Sequence, residues 1–190
     1  PGAATEWARA DSRLTHPHQV CQDACAVFVA AIATAIAEGS TAEECYRAVL
    51  AEAKRSSVAP PVVEALQAAA ERPPEDYQSQ QGWVLIALQN AFYQLLHAPS
   101  LEEGVVQTVM AGGDTDTNAA IAGALLGAVH GREGVPTQWL RSILSCRPLP
   151  KSGSSHPRPI EFWPVDALRL TEMLLVLGSK APNNGDNDGR

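Results

Sequence analysis

The stretch HQVCQDACAVFVAAIATAIAEG, residues 18–39, decides the fold class. Its apolar side chains recur at spacings of three and four, which is the period of one face of an α-helix. These positions are Val20, Ala24, Val27, Phe28, Ala31, Ile32, Ala35 and Ile36. Gly39 follows, and glycine readily adopts the left-handed conformation in which many helices end. The sequence therefore predicts one long amphipathic helix over 18–38.

Helical patterns also fill most of the remaining chain. Capping residues or prolines mark the expected helix starts, and no segment shows sustained strand alternation. The further predicted helices lie near 40–55, 60–74, 82–98, 100–110, 116–130, 136–144 and 164–178. The prediction is an all-α fold, an orthogonal multi-helix array of about eight helices.

The predicted domain organisation is simple. We expect a single helical domain over residues 1–178, with the Pro/Ser-rich stretch 147–159 as a connection inside it. The polar, Gly/Asn-rich segment 179–190 is predicted to be a disordered tail, because it has too little apolar surface to compensate for ordering.

Composition limits the classes of function. The chain of 190 residues has a net charge of −7 and no basic patch, which argues against nucleic-acid binding. The longest apolar runs are shorter than the roughly 20 residues that cross a bilayer, and no leader pattern is evident, so we expect no membrane association. Four cysteines without a CxxC pair are typical of buried free thiols in a reducing compartment. A cytoplasmic location is therefore predicted.

The sequence MAGGDTDTN, residues 110–118, gathers more oxygen-bearing side chains than a helix cap uses. A cap needs one Asp or Thr, whereas a cluster of hard oxygens at one turn is what Mg²⁺, Mn²⁺ or Ca²⁺ requires. An EF-hand is excluded, because Ala119 and Leu125 occupy the positions of its Gly and Glu. The helix that follows is rich in Ala and Gly, which predicts close packing at the centre of the protein.

The stretch GGDTDTNAAIAGALLGAVHG, residues 112–131, resembles the C-terminal signature of the ADP-ribosylglycohydrolase family. Four other segments resemble family segments and occur in the same order and at about the same spacing: residues 12–33, 81–96, 135–144 and 158–170. The resemblance implies an all-helical fold. It also implies an enzyme that removes ADP-ribose from arginine or serine side chains. It also implies a two-metal site with Mg²⁺, or Mn²⁺ in some members, and Asp114, Asp116 and Thr117 as metal ligands.

The same resemblance implies candidate contacts to the substrate. His16, in a Thr-His element, and Trp83, which follows Gly82, stand where the family contacts the nucleotide. A helix-entry role for His16 and a core or half-buried structural role for Trp83 are the alternatives. Gly112 and Gly113 complete the predicted substrate-binding set.

The chain departs from the family pattern in one respect. The family completes its site with a Thr/Ser-Asp-Asp element and an acidic acid/base residue from an N-terminal portion, and no Asp-Asp pair occurs in this sequence. The catalytic residue is therefore unknown. We expect a fragment of a hydrolase, one half of a two-chain or homo-oligomeric enzyme, or a relative that has lost catalysis. The corresponding functions are hydrolysis, ADP-ribose binding without turnover, and a purely structural role.

Overall fold

The computed structural model describes residues 2–180, which form nine α-helices and no β-strand. This confirms the predicted all-α fold class. The helices are α1 Gly2–Thr15, α2 Gln19–Glu38, α3 Ala42–Arg55, α4 Pro60–Ala69, α5 Val84–His97, α6 Leu101–Met110, α7 Thr115–His130, α8 Thr137–Leu144 and α9 Ala167–Lys180.

The chain divides into two compact units, residues 1–135 and 136–190. The first contains α1 to α7, and the second contains α8 and α9. The prediction of a single domain over 1–178 stays a prediction. Most of the predicted disordered tail lies outside the described residues.

Helix α2 is the central helix of the first unit. It begins after His18, whose Nδ1 accepts a hydrogen bond from the Val20 amide, and it ends at Gly39 with φ 61°. Contrary to the expectation from apolar runs, α2 is long and apolar enough to cross a membrane by length and composition alone. Half of its most apolar window is buried within the protein, and the core helix of a globular domain meets the same criteria.

Helix α1 was not predicted from the sequence. Its sequence is polar on average, its one buried residue is Ser12, and its large apolar residues Trp7 and Leu14 are exposed. Arg9 of α1 forms an ion pair with Asp23, which is fully buried in α2. Asp23 also accepts hydrogen bonds from the Gln19 side chain at 2.9 Å and from the Ala59 amide at 2.8 Å. A single buried carboxylate thus connects α1, α2 and the start of α4.

Helices α3 and α4 begin as their sequences predict. At the start of α3, the Thr41 hydroxyl accepts from the Glu44 amide at 3.3 Å, and the Glu44 carboxylate accepts from the Thr41 amide at 2.9 Å. This reciprocal pair is a capping box. Helix α4 starts with two prolines, whose missing N–H groups are not needed in a first turn.

Helices α5, α6 and α7 pack together. The inward positions predicted for α5 are buried at Ala87, Leu88, Ala91 and Leu95. The closest approach involves Gly104 of α6, where an added Cβ would lie 2.7 Å from Leu126 Cδ1 of α7. The small-residue face of α7 is less crowded, since a Cβ at Gly123 would be 3.4 Å from its nearest neighbour.

The second unit is short and has no fully buried residue among those described. Pro136 precedes α8 as its N-cap, and Pro164 starts a 3-10 turn that leads into α9, so neither proline lies in the first turn of an α-helix. Helix α9 continues to Lys180, two residues beyond the predicted end at Gly178. Within this unit, the Trp163 indole donates to the Arg158 carbonyl at 2.8 Å.

Candidate functional site

The Gly-Gly-Asp turn joins α6 to α7 through two left-handed residues. Gly112 has φ 83° and Gly113 has φ 71°, conformations that side-chain-bearing residues rarely adopt. Helix α7 then begins at Thr115, slightly earlier than the predicted restart near Asp116 or Thr117. Asp114 occupies the N-cap position, yet its side chain caps no amide.

The oxygen-bearing side chains of this turn influence one another. Hydrogen bonding with Thr117, and to a smaller extent with Asp116, lowers the pKa of the Asp114 carboxyl. The Asp116 carboxylate accepts a hydrogen bond from the Thr117 amide at 3.0 Å. Asp114 is half-buried, whereas Asp116 and Thr117 are exposed. An ionised, partly shielded Asp114 is a suitable ligand for a hard cation.

A cleft of about 350 Å³ opens beside this turn, within the first unit. Four separate parts of the chain form it: α1 with the residues that follow, α2, the start of α5 and the start of α7. The lining residues are Asp11, Ser12, Thr15, His16, Cys21, Cys25, Gln81, Gly82, Trp83, Val84, Ala87, Asp114, Thr117, Asn118 and Ile121. A cleft of this size lies within the range of small-molecule sites.

Trp83 provides an aromatic surface in the cleft. It stands at the N-cap of α5 without a capping hydrogen bond, and it is 36% exposed. The His18 and Trp83 rings lie at a centroid distance of 6.2 Å, in a T-shaped arrangement. Trp83 is thus a half-exposed ring rather than a core residue, and a planar ligand could stack on it.

The structure brings together five of the eight predicted site residues. His16, Gly82, Trp83, Asp114 and Thr117 all line the cleft, although they come from distant parts of the sequence. The other three are Asp116, Gly112 and Gly113, which belong to the same turn but do not line this cleft. The roles of all eight residues in ligand binding stay predictions.

The two glycines of the turn have a clear steric role. A Cβ on Gly113 would collide with the Tyr77 carbonyl oxygen and would lie 2.9 Å from its carbonyl carbon. A Cβ on Gly112 would lie 2.5 Å from Nε2 of the Gln78 side chain. Glycine at both positions lets the loop before α5 pack directly against the turn, which fixes Asp114 relative to Trp83.

Sequence reasoning missed several residues of the cleft. Asp11 was not considered because α1 was not predicted, although Asp11 and Thr15 stand four residues apart on that helix. Asn118 was noted only as part of the oxygen cluster, yet it is 2% exposed and lines the cleft. Its position four residues after Asp114 was a usable signal, since the N-cap Asp114 and Asn118 are about one helical turn apart and lie on the same side of α7.

A second cavity, of about 300 Å³, lies between α1, α2 and α3. Its polar lining includes Arg9, Thr34 and Glu52, and none of the predicted site residues borders it. Arg9 already pairs with Asp23 there. The cleft beside Asp114 is therefore the better candidate.

The described residues contain no group of three or more His, Cys, Asp and Glu side chains that could hold a metal ion. Asp114, Asp116 and Thr117 offer the hard oxygen ligands that Mg²⁺ and Mn²⁺ prefer, and Asp114 has no competing capping bond. The turn therefore fits part of a divalent-cation site, and a complete site needs further ligands.

Comparisons with known proteins agree with this geometry. The first relative is the ADP-ribosyl-[dinitrogen reductase] glycohydrolase of Rhodospirillum rubrum, 31% identical over 70 residues, which are 36% of this chain and 24% of that protein. The second is the ADP-ribosylhydrolase ARH3 of Bos taurus, 49% identical over 43 residues, 23% of this chain and 12% of that protein. The matches thus span a quarter or less of the length of these relatives.

A solved structure described as an ADP-ribosylglycohydrolase-related protein complex superposes with a TM-score of 0.62 and 25% identity. The match covers 72% of this chain and 46% of that chain, and it confirms the predicted fold. The family model described as ADP-ribosylglycohydrolase matches residues 1–154, which include the whole cleft. This chain therefore belongs to the ADP-ribosylglycohydrolase family.

Proposed function

We propose that this chain carries part of the active site of a hydrolase that cleaves the glycosidic bond between ADP-ribose and an acceptor of the arginine or serine type. The observation that carries the proposal is the cleft, where Asp114 and Thr117 of the acidic turn face the same space as His16 and Trp83. Family membership supports the same chemistry.

Within this cleft, each group has a distinct role. Trp83 offers its ring for stacking against the adenine or a ribose, and Gly82 leaves room for a ligand beside it, since an added Cβ would meet nothing within 4 Å. His16 is exposed at the entrance, and its Nδ1 lies 2.9 Å from the Thr15 hydroxyl. These residues bind and orient the nucleotide so that its glycosidic bond faces the acidic turn.

The acidic turn is proposed to hold Mg²⁺, with Mn²⁺ as an alternative, through Asp114, Asp116 and Thr117. The lowered pKa of Asp114 keeps its carboxylate ionised and ready to bind a cation at neutral pH. When bound, the divalent cation supplies positive charge beside the ribose hydroxyls and the reacting centre. A second chain or another copy of this one is proposed to supply the remaining ligands and the acid/base residue. A cytoplasmic location stays a prediction.

A second candidate function is ADP-ribose binding without turnover. It is favoured by the observation that no described group of three His, Cys, Asp or Glu side chains forms a complete metal site. In that case ADP-ribose binds through the cleft, and its affinity does not depend on divalent cations.

The test measures release of ADP-ribose from ADP-ribosyl-arginine and ADP-ribosyl-serine peptides, with Mg²⁺, with Mn²⁺ and with excess EDTA. ADP-ribose binding is measured in parallel by calorimetry. Asp114→Ala removes the half-buried ligand, and Glu102→Ala, an exposed acid in the first turn of α6, is the matched control. Hydrolysis that EDTA and Asp114→Ala abolish supports the enzyme. Binding without hydrolysis supports the second candidate when EDTA leaves the affinity unchanged, and it supports a partial metal site that needs a second chain when EDTA weakens the affinity. Absence of both binding and hydrolysis refutes each candidate.

A further inference from the structure

Asn118 is a buried polar side chain in the wall of the cleft whose Nδ2 donor has no partner among the described residues. It is 2% exposed, and no described residue accepts a hydrogen bond from its Nδ2. Its backbone amide is satisfied by the Asp114 carbonyl at 3.0 Å, so the unmet demand belongs to the side chain alone. A buried donor without a partner destabilises a protein, and such groups are rare in folded chains.

Two other buried amides serve as comparisons for Asn118. Asn90 is also fully buried, but it accepts from the Tyr77 hydroxyl at 2.8 Å and donates to the Thr108 hydroxyl at 3.0 Å. Gln94 has an unsatisfied side-chain oxygen, yet it does not line the cleft. Among these three residues, only Asn118 combines an unused donor with a position in the wall of the cleft.

The charges around Asn118 select the kind of ligand atom that it meets. The residues that line the cleft include the carboxylates of Asp11 and Asp114 and neither lysine nor arginine. Two carboxylates without a cationic side chain repel a phosphate group. A sugar hydroxyl is compatible with both sides of the cleft, since its oxygen accepts from an amide N–H while its hydrogen donates to a carboxylate.

We propose that Asn118 is a substrate-binding residue whose Nδ2 donates a hydrogen bond to a ribose hydroxyl oxygen of the bound nucleotide. This inference rests on the proposed function, because that function supplies the ribose. It also accounts for the unpaired donor: a group that destabilises the ligand-free protein is satisfied when ligand binds.

The test compares stability with affinity in Asn118→Leu, which keeps the branching and the number of side-chain heavy atoms but is somewhat bulkier, and which removes the polar atoms. Because the lost donor has no partner in the free protein, the melting temperature should stay the same or rise. Affinity for ADP-ribose, measured by calorimetry, should fall about tenfold, the effect of losing one buried hydrogen bond. Asn118→Ala, which cannot clash with a neighbour, serves as the second variant. Asn90→Leu is the matched control, and it should lower the melting temperature because its amide is fully bonded.

Binding of ADP, which has only the adenosine ribose, identifies the sugar. A loss confined to ADP-ribose assigns the contact to the terminal ribose, and an equal loss with ADP assigns it to the adenosine ribose. Unchanged affinity in both Asn118 variants, with normal binding by the unsubstituted chain, would overturn the inference alone. A melting temperature that falls as far as in Asn90→Leu would show a structural role instead. No binding by the unsubstituted chain would overturn the proposed function and the ligand assigned to Asn118 with it.

Discussion

Gly113 should be the least replaceable glycine of the acidic turn, because a side chain at this position would destabilise the fold in two separate ways. Its φ of 71° is unfavourable for any L-residue, by about 1–2 kcal/mol. A Cβ would also collide with the Tyr77 carbonyl oxygen and lie 3.2 Å from Tyr77 Cβ. The obstacle is backbone, so relief requires the loop before α5 to move. Such overpacking costs about 1–3 kcal/mol more.

Two other glycines separate these costs. Gly39 has φ 61° and nothing within 4 Å of an added Cβ. Gly39→Ala should therefore lower the free energy of unfolding only by the cost of backbone strain, about 1–2 kcal/mol for a residue in the left-handed conformation. Gly112 has φ 83°, and its nearest obstacle is the end of the flexible Gln78 side chain, which can rotate away. The expected order of destabilisation is therefore Gly39→Ala, then Gly112→Ala, then Gly113→Ala, with about 2–5 kcal/mol for the last.

Urea unfolding followed by far-UV circular dichroism measures the three free energies of unfolding directly. Gly113→Ala should also weaken ADP-ribose binding beyond Gly39→Ala, because displacing Tyr77 shifts the loop that carries Trp83 relative to Asp114. If Gly113→Ala were no more destabilising than Gly39→Ala, the close packing of the loop on the turn would be refuted.

Three further perturbations test other parts of the structure. Burial raises the pKa of Tyr77 to about 12, so the folded protein favours the neutral phenol. The free energy of unfolding should therefore be unaffected by this group below pH 10 and should decline by about 3 kcal/mol as the pH rises from 10 to 12. Tyr77→Phe should remove this alkaline decline in pH-dependent urea unfolding and cost about 1–2 kcal/mol at neutral pH, because Asn90 loses its partner. Asp23→Ala should cost about 3 kcal/mol in chemical denaturation, because it leaves Arg9 unpaired and the Ala59 amide without an acceptor, and an unchanged stability would contradict the linking role of Asp23. Trp83→Ala should weaken ADP-ribose binding about tenfold in calorimetry, and equal affinity in variant and parent would exclude stacking on this ring.

Much of the secondary structure could be predicted because its signals are local. The period of α2, the Thr41 and Glu44 capping box and the prolines at the start of α4 each act within a few residues. Helix α1 escaped prediction for the opposite reason. Its sequence is polar on average, and its pairing of Arg9 with Asp23 joins residues of two different helices.

The candidate site was predictable in part. The turn at 112–117 could be read as a site because its ligands are adjacent in the sequence, and family resemblance added His16, Gly82 and Trp83. No local sequence pattern identifies Asp11 as a site residue, since its place in the cleft depends on how α1 packs. The steric role of Gly113 was equally hidden, because the group that excludes a side chain is the backbone of Tyr77, more than thirty residues away.

The sequence by itself determined that the chain is all-helical, where most of its helices begin and end, and which turn concentrates hard oxygen ligands. These features depend on interactions between neighbours along the chain. Only the tertiary structure decided which residues share the cleft, why two glycines are required beside Tyr77 and Gln78, and that the side chain of Asn118 is buried without a partner. Those properties arise from contacts between helices, and burial and unmet hydrogen bonds exist only once the helices have packed.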